Sequence, residues 1–145
     1  MPLEGWTTVD LYETADVTAD MRDLPHSDES VDEINCSHAL EHLTLADGGR
    51  ALAEFHRVLR PGGTLTVEVP CFNCACRVWV EGVGTDRTRA YQAIYGEDAV
   101  GMHHLSGWSE RGLQSRIVSA GFEEPSLIHV QSHGVQCIRA VAVRG

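Results

Sequence analysis

Ser37-His38-Ala39-Leu40-Glu41-His42-Leu43 is the stretch from which the rest of the chain can be read. Before it, Val31 to Cys36 forms a short extended run. After it, Asp47 sits where a helix N-cap is expected, and Leu52, Phe55 and Leu59 follow at helical spacing. Pro61-Gly62-Gly63 then reads as the stop of that helix. Leu65, Val67 and Val69 alternate with Thr64, Thr66 and Glu68 up to Pro70, which is the pattern of a strand with one buried face. Strand, helix, Pro-Gly stop and strand make up the βαβ grammar of a parallel sheet. In such sheets ligands bind beyond the carboxyl ends of the strands, and Ser37 stands at one of those ends.

Outward from this centre, Thr7 to Tyr12 and Ala15 to Asp20 read as two further strands. Thr85 to Tyr95 reads as a helix stopped by Gly96. A second helix starts after the cap Ser109, buries Leu113, Ile117 and Ala120, and stops at Gly121. Leu127 to Gln131 and Gln136 to Val143 form a closing hairpin across Ser132-His133-Gly134.

The 145 residues carry a formal net charge of -10, with 11 Arg and no Lys. So acidic a surface repels phosphate backbones and argues against nucleic acid as a partner. The chain contains no apolar run of 18 residues, so no membrane span is expected, and a cytoplasmic setting follows. The expected organisation is one domain over residues 1–145. Five Cys, three of them crowded at Cys71, Cys74 and Cys76, do not make a secreted disulfide framework. Free buried thiols are expected there, with a metal or iron–sulfur centre as the alternative.

The run from Ala19 to Leu43 together with Glu54 to Pro70, preceded by Gly5-Trp6 and Val9-Asp10, resembles the class I S-adenosylmethionine (SAM)-dependent methyltransferases. The resemblance is good over residues 5 to 70 and looser beyond. It implies a three-layer α/β Rossmann-like fold, with a mostly parallel sheet and a C-terminal antiparallel hairpin. Members of the family begin with a strand and a glycine-rich loop just before the Gly-Trp. The chain begins at Met1, so the resemblance implies an N-terminally truncated fold lacking that strand and loop. The missing strand in turn implies self-association as a homo-oligomer.

By the same resemblance, Asp10 accepts hydrogen bonds from ribose hydroxyls, while Asp20 and the backbone of Met21 meet adenine. Ser37 and His38 line the SAM pocket. The implied function is SAM-dependent methyl transfer to an unknown acceptor, with a small-molecule substrate or a protein as partner, and impaired by loss of the loop. The alternative is a catalytically inactive, methyltransferase-like protein that binds a partner.

His38 and His42 are four apart, so on a helix they would share a face with Glu41 beside them. The order His-x-x-Glu-His differs from the zincin order, and no third ligand stands at a known spacing, so no metal is expected. His103 or His104 could serve as a base, but the sequence assigns no catalytic residue.

Overall fold

The computed structural model describes residues 4–82 and 84–145. Met1, Pro2 and Leu3 lie outside the described residues. In chain order come β1 (Val9–Asp10), β2 (Val17–Thr18), β3 (Val31–Ser37), a single 3-10 turn (Leu40–His42), α1 (Leu45–Val58) and β4 (Leu59–Pro70). Then follow α2 (Phe72–Glu81), α3 (Thr85–Tyr95), α4 (Glu110–Ser119), β5 (Ser126–Ser132) and β6 (Val135–Val143). β1 and β2 pair in parallel as one small sheet, and the second sheet has the order β3-β4-β6-β5. β3 runs parallel to β4, whereas β6 is antiparallel to both β4 and β5. The sheet is therefore partly antiparallel, and it carries the expected C-terminal hairpin.

One phase of each strand of the four-stranded sheet builds the core. Cys36, Leu65, Val67, Val69, Ile138, Ala140 and Ala142 pack with Leu52 and Phe55 of α1 and with Leu113 and Ile117 of α4. The other phase carries polar groups, because successive strand residues face opposite sides. Register places Ser37 beside Glu68, Glu68 beside Arg139, and Arg139 beside Ile128 on that side.

Several expected boundaries move, each for a local reason. α1 is capped by Thr44, whose hydroxyl accepts from the Asp47 N–H at 3.1 Å; Asp47 belongs to the first turn and is not the cap. α1 ends at Val58, because Leu59 is already extended (ψ 142°) and opens β4. Pro61-Gly62-Gly63 is therefore not a helix stop but an irregularity inside β4. There the pairing jumps from Val31–Leu59 to Glu33–Thr64, and Gly62 adopts φ +79°. A side chain at Gly63 would meet the carbonyls of Arg60 and Asp32 at 2.8 and 3.0 Å. β1 and β2 shrink to two residues each. Asp10 turns its carboxylate to the N–H groups of Tyr12 and Glu13, and Asp16 accepts from the backbone and hydroxyl of Thr8. Side chains thus take backbone donors that a longer ladder would need.

Cys71 and Cys74 form a disulfide, in place of the free thiols expected there, while Cys36, Cys76 and Cys137 are free. Cys71 caps α2 and Cys74 lies in its first turn, so the helix brings their side chains to one end.

Leu65 is fully buried in the middle of β4. Leu65→Ala removes that packing and leaves a void, so urea denaturation is expected to report a loss of about 2–5 kcal/mol.

Candidate functional site

The carboxyl ends of β3 and β4 lie side by side, and the functional cluster is built on that step. The His38 N–H donates to the Glu68 carbonyl at 2.9 Å, which extends the parallel ladder by one bond. His38 then takes φ +51°, a left-handed conformation uncommon for a residue with a side chain. This turn ends the strand before any helix begins. His38 and His42 consequently do not share a helix face, contrary to the sequence reading, and they belong to two different groups of side chains.

In the first group, His38 Nε2 lies 3.3 Å from a Glu68 carboxylate oxygen, 3.1 Å from Ser132 Oγ and 3.3 Å from His133 Nδ1. Cys137 Sγ is 3.8 Å from the same nitrogen. The other Glu68 oxygen accepts from Arg139 Nε at 2.9 Å and from a second guanidinium nitrogen at 2.8 Å. Burial pushes the Glu68 carboxyl upward. Hydrogen bonds from Ser132 and Arg139, with the charges of Arg139 and His38, more than offset it, and the net shift is downward. The proximity of Cys137 and then of Glu41, against the opposing effect of burial, raises His38 to about 10. These neighbours favour the charged imidazolium of His38 over the neutral ring that a general base needs.

In the second group, Glu41, His42 and His104 bring one donor atom each to within 4.8 Å of one another. Glu41 is 1% exposed, and neither of its carboxylate oxygens has a hydrogen-bond partner among the described residues. Its nearest charge is His38 Nδ1, at 3.4 Å and out of hydrogen-bond alignment. The rings of His42 and His104 meet edge to face, with centroids 5.0 Å apart. Burial lowers the pKa of His104.

The remaining predicted residues stand elsewhere. Asp10 ends β1 and uses one oxygen to hold the following turn; burial opposes the shift, but the hydrogen bonds from Glu13 and Tyr12 keep its pKa below the usual range. Asp20 is gripped by Arg22 through both oxygens at 2.9 and 2.6 Å. Arg22 also reaches Asp47 on α1 at 3.3 Å, which pins this loop to the helix. Met21 packs half-buried against the core, and Ser37 is exposed at the end of β3. Among the described residues, no hydrogen bond or ion pair joins Asp10 or Asp20 to His38. Sequence reasoning missed Glu68, Ser132, His133 and Cys137 as partners of His38, and Arg139 as the partner of Glu68. The signal available was a lone carboxylate in the polar phase of a strand, two residues before its end. A cleft of about 300 Å³, walled by Cys74, Val78, Arg89, Ala90, Gln131 and Gln136, includes none of the predicted residues.

Residues 7–67 match the family model described as Methyltransferase domain. The fold is the Rossmann-like α/β fold seen in solved SAM-dependent methyltransferases, and residues 7–67 are similar to the methyltransferase-domain family. Among solved structures, a SAM-dependent methyltransferase from Methanosarcina mazei superposes with a TM-score of 0.62 at 16% identity, over 87% of this chain and 65% of that one. The Burkholderia thailandensis 1,6-didemethyltoxoflavin-N1-methyltransferase, with bound 1,6-didemethyltoxoflavin and S-adenosylhomocysteine, gives 0.63 at 18% identity, over 94% of this chain and 59% of that one. An uncharacterized 37.1 kDa protein in a transposon of Streptomyces fradiae is 31% identical over 113 residues, 78% of this chain and 30% of that protein. The chain thus spans less than two-thirds of the length of each. Among the described residues no helix is long and apolar enough to cross a membrane.

The raised pKa of His38 has a definite sign for stability. With a folded value of about 10 and an unfolded value of ~6.5, its contribution is complete below the lower value and is lost as pH rises through the upper one. In chelator-treated protein, the stability difference between wild type and His38→Gln is expected to shrink steadily across that window. Urea midpoints at a series of pH values measure it.

Proposed function

We propose that the chain is the SAM-binding core of a methyltransferase acting on a small-molecule acceptor. The observation that carries this reading is the order of elements: the short parallel pair ending at Asp10, then β3 ending at Ser37-His38, in a family-matched stretch. SAM, when bound, supplies a methyl group activated by a positively charged sulfur, for delivery to an O, N or C nucleophile.

The residues present suit the adenosine half of that cofactor. Asp10 keeps one carboxylate oxygen without a hydrogen bond among the described residues, at the end of a parallel strand, and its other oxygen makes the turn rigid. A fixed, ionised acceptor of this kind pairs with vicinal hydroxyls. Asp20 Oδ2 retains one acceptor site beyond those engaged by Arg22, so it can accept an amino group, and half-buried Met21 offers an apolar seat for a purine. Ser37 and His38 face the region where the strands end. The protein's contribution is then to bind and orient two partners, which can supply much of the rate enhancement. His38 holds its proton, and no catalytic base is assigned. The rival reading, a methyltransferase-like domain that binds a partner without catalysis, predicts no cofactor binding.

Calorimetric titration tests the proposal. Wild type is expected to bind SAM and S-adenosylhomocysteine with similar affinity. Asp10→Ala should cost ~1–3 kcal/mol, roughly a ten- to hundred-fold loss. Asp20→Ala should weaken binding in the same range while leaving the thermal midpoint nearly unchanged. No heat from folded wild type at millimolar ligand would defeat the enzyme reading and favour the partner-binding one.

A further inference from the structure

We propose that Glu41, His42 and His104 form a site for a divalent first-row transition-metal ion. Three observations converge on it, and none depends on the methyl-transfer reading.

The first is the carboxylate. Glu41 is 1% exposed and both of its oxygens lack hydrogen-bond partners among the described residues. An ionised carboxylate left so is costly, and a cation among its neighbours removes the cost. His38 does not fill that role fully, since its Nδ1 stands 3.4 Å away and out of alignment.

The second is the state of the two imidazoles. His42 Nδ1 lies 3.2 Å from the His103 carbonyl, and His104 Nδ1 lies 2.9 Å from the Ala93 carbonyl. A carbonyl only accepts, so each Nδ1 carries the hydrogen. In the neutral ring Nε2 is then the lone pair, and neither Nε2 has a hydrogen-bond partner among the described residues. A backbone carbonyl holding the far nitrogen is the arrangement that orients metal-bound histidines.

The third is that separate parts of the chain are locked together there. The Leu105 and Ser106 N–H groups both donate to the Glu41 carbonyl, at 2.8 and 3.2 Å. Gly96, at φ +76°, lets the loop fold back so that the His104 N–H reaches the Tyr95 carbonyl at 2.9 Å. The donor atoms lie within 4.8 Å of one another. Ligand bonds of ~2.0–2.2 Å would set them about 3.4 Å apart, so a small side-chain closure suffices. Two imidazoles and one carboxylate suit zinc, iron, cobalt or manganese and leave positions open for water or an oxygen ligand. The other donor sets are weaker: the sulfurs of Cys71 and Cys74 are joined to each other, and His38 Nε2 is already in contact with Ser132 and His133 as well as Glu68.

Cobalt(II) added to chelator-stripped protein is the test. The expected result is one cobalt per chain, with visible d–d bands, no thiolate charge-transfer band in the near ultraviolet, and displacement by zinc. A thiolate band, or no saturable binding by folded wild type, overturns the proposal without recourse to any variant. His104→Ala and Glu41→Gln should each weaken cobalt at least as much as the ~10–100-fold loss typical of an outer-shell partner. Cys137→Ser and Cys74→Ser should leave it unchanged. Full affinity in a folded His104→Ala protein overturns the assignment. His42→Gln serves as the check should His104→Ala fail to fold.

Discussion

The parallel register of β3 on β4 is the constraint on which the rest depends. It sets Ser37 against Glu68, and through Glu68 it reaches Arg139 on β6. A slip of one residue would invert the two faces, exposing Val67 and Val69 and burying Thr66 in their place. The core therefore enforces the register, and the register delivers the polar row to the opposite side. The chain leaves β3 through His38, whose left-handed backbone turns it from the ladder into the 3-10 turn carrying Glu41 and His42.

Charge makes this edge unlike the rest of the molecule. On a chain of net charge -10, two carboxylates are buried among the described residues, Glu41 and Glu68. Glu68 is answered by Arg139 and by His38, an arrangement that restores much of what desolvation costs. Glu41 has no such answer among the hydrogen-bonding groups of the described residues. A half-satisfied polar cluster beside an apolar core is an unstable compromise unless a ligand completes it, and it lies where open α/β sheets place their ligands.

The alternation from Thr64 to Val69, the amphipathic spacing of Leu52 and Phe55, the Ser109 cap and the closing hairpin were legible because each depends on neighbours close in the chain. Boundaries failed where a side chain competed with the backbone, as Asp10 and Asp16 do in shortening the first two strands. Thr44 displaced Asp47 as the cap because either residue type can accept a first-turn N–H, and the spacing does not choose. The Cys71–Cys74 bond was missed because composition spoke for reduced thiols, whereas adjacency at one end of α2 depends on where that helix starts.

By itself the sequence determined the α/β class and the candidate edge of the sheet, because periodicity of two or 3.6 and strand-end chemistry are local properties. Only the tertiary structure decided which of those residues meet. His38 joined Glu68, Ser132 and Cys137 from strands far along the chain, while His42 and His104, far apart in sequence, came to face one carboxylate. The pattern His-x-x-Glu-His suggested that its two histidines act together. The left-handed backbone at His38 separates them, and a side-chain pattern carries no record of the turn that does so.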